Sequence, residues 1–271
     1  MKRIVYIFVV LISLMFLFPI AFTVANSLMP YGQVISNKVN FIPNQVNLQQ
    51  YYSIVINKTE YFKFFLNSVK ITSLIIFGQI FLGILAAFAF AKMKFPGSDI
   101  LFMGYVFLLL LPYQVVLVPN FLFFDKVETL LNIKIFDTHL ALILPGMFYS
   151  FGVFILRQFI RGIPDELIEA AKIDGAGYAT ILIRIILPML KPAIFTLVIL
   201  TFIDNWNLID QAVAFIETPE KMPLSVFLND IYDGDKGVFF AGAVLYIIPA
   251  ILIFTKGEKY LKEGLILGGD K

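Results

Sequence analysis

The sequence predicts an all-α polytopic membrane protein with six transmembrane helices. Two observations carry that expectation. Of the 271 residues, 59% are hydrophobic and 15% are charged, against roughly 45–50% apolar and about 25% charged in soluble domains. The apolar residues gather into six runs, separated by polar connections, and most runs approach the ~20 helical residues that span a hydrocarbon core.

The first run, Ile4–Val24, follows Lys2-Arg3 and is interrupted only by Ser13, Pro19 and Thr23. Cleavage after Ala25 would make it a signal peptide. A signal core takes only about 7–15 apolar residues, so the longer run reads as a retained span. Residues 27–63 form a polar, aromatic loop with Pro30, Gly32 and Pro43. The second span is Ile71–Ala91, where Gly83, Ala87 and Ala91 fall four apart. Such a row lets another helix approach closely; the alternative is chance alanines in an apolar helix.

Lys92-Met93-Lys94 and Pro96-Gly97 connect to the third span, Ile100–Val118, which contains Pro112. After a charged loop, Asn120–Thr138, the shorter fourth span Leu140–Leu156 carries Pro145-Gly146 and Gly152. The fifth runs from near Met189 to Trp206. An acidic loop with Glu217, Glu220, Asp230, Asp233 and Asp235 precedes the sixth, Val238–Thr255, and a short polar tail. No repeat of 20–50 residues is visible.

Six spans put both termini on one side. Thirteen of the 21 lysines and arginines fall on that side, from Lys2 and Arg3 to Lys271, seven fall on the other, and Lys70 stands at the mouth of the second span. Because Lys and Arg favour the cytoplasmic side, both termini are expected there.

Between the fourth and fifth spans, Ile163–Pro192 carries both charge signs on the cytoplasmic side. Pro164, Asp165 and Glu166 read as a helix start, since acids suit the positive N-terminal end. Leu167, Ile168 and Ala171 recur at helical spacing, on a face thinned by Ala170 and Ala171. Asp174-Gly175 reads as a stop. A second helix is expected from about Tyr178, with Pro188 and Pro192 bracketing the next apolar run. The segment reads as a docking helix–turn–helix.

Several chemistries are excluded. There is no cysteine, hence no disulfide, thiolate metal site or cysteine nucleophile. His139 is the single histidine, so paired-histidine metal sites are excluded, and it is expected to cap or flank the fourth span. No Gly-x4-Gly-Lys-Ser/Thr loop is present, so the chain is not expected to hydrolyse nucleotide. A net charge of +2 with scattered lysines does not suggest nucleic acid. Asp and Glu avoid the span interiors, whereas proton-driven transporters bury such residues as relays.

The polar groups nearest the membrane interior are Lys70, which reads as a snorkelling side chain, and Asp204-Asn205-Trp206-Asn207. Asp204, Asn205 and Asn207 could hydrogen-bond a hydroxyl-rich solute beside the Trp206 indole, forming part of a substrate path. The alternatives are interhelical hydrogen bonds and, for Trp206, an interfacial anchor.

Glu169-Ala170-Ala171, then Gly175 after three intervening residues, then Ile185-Ile186-Leu187-Pro188 after nine more, resembles the "EAA" loop of permease subunits in binding-protein-dependent ABC importers. Asp174, Ala176 and Lys191-Pro192 fit the same pattern. Asn67-Ser68, Phe95-Pro96-Gly97, the run Phe151 to Phe159 and Trp206-Asn207 look like the carbohydrate class, in particular the MalG-like inner-membrane subunit of maltose-type importers. The tail departs from that subunit's glutamine-containing pattern at Lys256-Gly257-Glu258.

The resemblance covers about residues 64–260 and implies the type I ABC importer permease fold, with cytoplasmic EAA coupling helices. It divides the chain into an N-terminal helix and extracytoplasmic loop (1–63), a permease domain (64–260) and a cytoplasmic tail (261–271). It implies a multi-pass subunit of a bacterial or archaeal cell membrane that conducts a sugar or oligosaccharide by alternating access. Implied partners are a second, MalF-like permease subunit, two cytoplasmic ABC ATPases and an extracytoplasmic solute-binding protein. ATP and magnesium would act on the ATPases, with no cofactor or metal held by this chain. ATPase coupling would fall to Glu169, Ala170, Ala171, Asp174, Gly175, Ile185 and Pro188. A polyol or sugar-phosphate permease and a stand-alone channel or secondary transporter remain as alternatives. A membrane-bound enzyme has no residue constellation behind it.

Overall fold

The computed structural model describes residues 2–36, 40–56 and 60–269. Among them every regular element is helical. Among the described residues, four helices are long and apolar enough to cross a membrane: Arg3–Ser27, Glu60–Lys92, Leu140–Arg161 and Lys236–Leu261. A fifth candidate is a broken pair, Tyr178–Met189 and Lys191–Trp206, bent by 72°.

The third expected span, Ile100–Val118, is not one helix. Helix Ser98–Leu108 ends in a turn, and a second helix, Tyr113–Leu131, starts after Pro112, whose φ of −65° and ψ of 142° are extended. Proline has no N–H to continue the ladder and pushes its predecessor out of the α region, so the chain restarts there. The fourth span runs to Arg161 rather than Leu156, with a break at Phe148-Tyr149 just after Pro145-Gly146. Of the predicted tail, residues 261–269 continue the last helix; Asp270 and Lys271 lie outside the described residues.

The chain forms two compact units, Met1–Asn67 with Met222–Ile251, and Ser68–Lys221 with Leu252–Lys271. In the first unit, helix Lys2–Ser27 passes unbroken through Ala25, the expected cleavage point. Asn26 and Ser27 beyond it are buried, and the Ser27 hydroxyl lies 2.8 Å from that of Tyr51. The core joins Ile54, Tyr61, Phe64, Leu224, Leu228 and Ala241. The Tyr61 hydroxyl donates to the Gly242 carbonyl at 2.9 Å, which satisfies a polar group that would be costly to bury alone.

The second unit is built around helix Ser150–Arg161, against which Ser98–Leu108 and Lys191–Trp206 pack. A Cβ on Gly83 would stand 3.2 Å from the Leu156 side chain, and Ala87 is fully buried beside it. The small-residue row therefore admits a neighbouring helix.

Two loops of this unit are tied by Asp137. Its carboxylate accepts hydrogen bonds from Lys221 Nζ at 2.6 Å, from the Thr218 amide and hydroxyl at 2.8 Å each, and from the Glu217 amide at 3.2 Å. The Lys221 ammonium first, and the Thr218 amide next, hold this carboxyl well below the usual carboxylate range. His139 flanks the fourth span without capping it. Its ring Nε2 lies 3.0 Å from the Lys221 carbonyl oxygen, and desolvation by burial lowers its pKa.

Candidate coupling element and polar cavity

Helix Asp165–Ile173 follows Pro164, which has a φ of −55° and a ψ of 135°, and carries Asp165 and Glu166 in its first turn. It ends in a two-bond cap: the Gly175 amide donates to the Lys172 carbonyl at 3.0 Å and the Ala176 amide to the Ala171 carbonyl at 2.8 Å. Gly175 has a φ of +82°, the left-handed conformation that such a stop requires. The second helix begins at Tyr178 and takes a π-helical turn over Leu182–Ile186.

The element is bolted to the spans from below. Ile163, Ile168, Ile181, Ile186 and Leu190 are buried in one cluster with Phe88, Leu156, Ile160 and Leu197. Lys92, at the end of the second span, donates from Nζ to the Ile163 carbonyl and to the Asp165 carboxylate, both at 2.6 Å. Its side chain is only 5% exposed. The Lys92 hydrogen bond, and then its charge, lower the Asp165 pKa.

The expected residues fall as follows. Glu169, Ala170, Asp174, Gly175 and Pro188 are exposed, while Ala171 and Ile185 are half-buried. The thin face is thus split, with Ile168 inward and Leu167, grouped with it in the sequence reading, 45% exposed. The structure adds Ile173, which is 87% exposed. Leu167, Ala170 and Ile173 form an outward apolar stripe at threefold spacing, next to the exposed carboxylates of Glu169 and Asp174. An unpartnered apolar stripe on a polar helix is suited to a docking partner.

The second feature is a cavity of about 310 Å³ lined by Gln79, Tyr149, Asp204, Asn205 and Gln211 among others. The 204–207 run is divided by the fold. Asp204 and Asn205 line the cavity, whereas Trp206 is 4% exposed and stacked on Phe202 with ring centroids 4.9 Å apart. The indole therefore offers no open face to that cavity, and Asn207 is exposed past the helix end. Asn205 donates to the Thr201 carbonyl at 2.8 Å, and the Asn205 carbonyl accepts from the Thr72 hydroxyl at 3.2 Å.

Gln79 was not singled out by the sequence. It is 2% exposed in the second span, donates to the Gly146 carbonyl at 2.9 Å, and accepts from the Thr201 hydroxyl at 2.8 Å. A lone glutamine inside an apolar run was the available signal, because a buried amide needs partners. With Lys70 exposed, the most buried polar side chains among the described residues of this unit are Ser68, Thr72 and Gln79, followed by Thr201.

The family model for "Binding-protein-dependent transport system inner membrane component" matches residues 79–261. The arabinooligosaccharides transport system permease protein AraQ of Bacillus subtilis (strain 168) is 27% identical over 98% of this chain and 94% of its own length. The sn-glycerol-3-phosphate transport system permease protein UgpE of Escherichia coli O6:K15:H31 (strain 536 / UPEC) is 30% identical over 92% and 90%. A crystal structure of a bacterial ABC transporter involved in the import of the acidic polysaccharide alginate contains a similar chain. It superposes with a TM-score of 0.83, covering 96% of each chain at 20% identity, which establishes the shared fold. The match over residues 79–261, which spans more than half of the sequence, means that the chain belongs to the family of binding-protein-dependent transport system inner membrane components.

Proposed function

We propose that this subunit conducts a sugar or oligosaccharide and receives its energy through helix Asp165–Ile173. The observation that carries the reading is the split face of that helix. Ile168 is locked into the span core while Leu167, Ala170 and Ile173 face outward. A helix held on one side and bare on the other transmits motion as a lever.

In this reading two ATPase subunits close on ATP and magnesium, and one of them grips the exposed stripe, Glu169 and Asp174. Gly175 and Pro188 set the angle between the two helices, and Ile185 lies on the second of them. The pull passes through Ile163 and Lys92 to the spans, which alternate between inward-open and outward-open states. A second permease subunit supplies the other half of the path, and a solute-binding protein delivers the cargo from outside. Asp204 and Asn205 in the cavity are the polar groups proposed to meet a hydroxyl-rich solute.

The carbohydrate class is supported by the relatives, among them the polygalacturonan/rhamnogalacturonan permease YtcP of Bacillus subtilis (strain 168), 28% identical over 98% of this chain. The likeness to a glycerol-phosphate permease favours sugar phosphate as the second reading.

Replacing the exposed Ala170 with Asp introduces a charge that docking would desolvate without a partner. Membrane insertion is expected to be normal while ATPase co-purification and oligosaccharide uptake fall at least tenfold. Wild-type co-purification with Ala170→Asp would overturn the docking role. Thermal-shift screening of the cognate binding protein against neutral oligosaccharides and glycerol 3-phosphate decides between the two substrate readings.

A further inference from the structure

The hairpin that joins the second span to helix Ser98–Leu108 borders a basic cavity of about 640 Å³, lined by Lys94, Arg157 and Arg161 together with Phe90 and Phe95. Asp99 lines it and also lines a second, adjoining groove of about 510 Å³ formed by Ile100, Met103, Gly104 and Phe107. The groove is apolar apart from Asp99. Ile100 is 79% exposed and Met103 is 68% exposed. A positively charged hollow at helix ends thus continues directly into an apolar furrow along a helix flank.

The three cations differ in what already holds them. Arg157 is committed: Nε donates to the Phe90 carbonyl at 3.2 Å, Nη2 lies 4.0 Å from the Asp99 carboxylate, and the guanidinium sits 3.5 Å above the Phe102 ring. It thereby compensates Asp99 and fixes the floor of the hollow. Lys94 and Arg161 are exposed. Among the described residues neither has a hydrogen-bonded or ion-paired side-chain partner. Arg161 also stands one helical turn from Arg157, a like-charge spacing that an anion would relieve.

We propose that this site binds an anionic phospholipid, with the headgroup phosphate on Lys94 and Arg161 and an acyl chain along Ile100, Met103 and Phe107. Charge complementarity selects the headgroup: the lining sets one carboxylate, Asp99, against three cations, and the Asp165 carboxylate that also acts on Lys94 is already bound to Lys92 at 2.6 Å. The apolar furrow selects a lipid over a free anion, because only a lipid carries the tail that would cover it. The charge bias places the hollow on the cytoplasmic side, where basic pockets between helices meet anionic headgroups. The proposal does not depend on which solute is carried or on how the ATPase docks.

The test is native mass spectrometry of the full-length protein taken from nanodiscs of phosphatidylcholine doped with phosphatidylglycerol. The wild type is expected to retain phosphatidylglycerol selectively. Lys94→Gln with Arg161→Gln should lower retention roughly tenfold or more, since each basic side chain near an anionic surface contributes about fivefold. Gly104→Phe keeps every charge but fills the furrow, and a Cβ there meets nothing within 4 Å; it should lower retention as well. Equal retention by the wild type and the double variant would overturn the proposal, as would retention of phosphatidylcholine in preference to phosphatidylglycerol. Displacement by millimolar inorganic phosphate, with Gly104→Phe without effect, would make this a free-anion site. Loss of all lipid only when a partner protein is bound would assign the furrow to that protein.

Discussion

Gly175 has a φ of +82°, and a Cβ placed on it would meet nothing within 4 Å. A side chain there is opposed by backbone conformation alone, a cost on the order of 1–2 kcal/mol for an L-residue in the left-handed region. Gly175→Val is therefore expected to lower ATPase co-purification, while Gly175→Asn, whose side chain tolerates that region, should retain most of it. Equal co-purification by both variants would remove the turn from the coupling mechanism. The pattern from Glu169 through Gly175 to Pro188 was legible in the sequence because all of it is set by spacing along the chain. Which neighbouring apolar residue faces out was not. Leu167 and Ile168 are equally apolar, and only packing against Leu156 and Ile160 separates them.

The helices meet where side chains have been reduced to nothing. A Cβ on Gly146 would fall 2.8–2.9 Å from three atoms of the Ile75 side chain. Ile75 is fully buried and β-branched, so it has little freedom to move aside. Gly146→Val should destabilise the packing of the second and fourth spans by about 1–3 kcal/mol, read as a lower unfolding temperature in detergent. Pairing it with Ile75→Ala should restore part of the loss; no restoration would deny the contact. The breaks follow their prolines: Pro112 divides the third expected span, and Pro188 and Pro192 flank the 72° bend. Composition alone located these prolines, but not whether the chain would restart as a helix, pass through a bend, or continue as one helix as it does through Pro19 and Pro249.

For the whole molecule, the charge bias predicts a cytoplasmic last helix end and an external 27–63 loop. The absence of native cysteine makes this directly testable. A membrane-impermeant maleimide is expected to label Asn44→Cys in intact cells and Lys256→Cys only after permeabilisation. Labelling of Lys256→Cys in intact cells would invert the orientation, and with it the side from which the proposed ATPases would act.

The sequence by itself determined the membrane class, the helical composition and the helix–turn–helix around Gly175. Each of these follows from local quantities: hydropathy over ~20 residues, fixed spacing and the conformational limits of Gly and Pro. Tertiary structure alone decided that Trp206 is buried on Phe202, that Lys92 clamps Asp165, and that Gln79 and Thr201 join at a cavity with Asp204. The last two join residues 73 and 122 positions apart. No local rule specifies such partners, because each exists only once the spans have packed and a buried polar group must find whatever donor or acceptor then lies beside it.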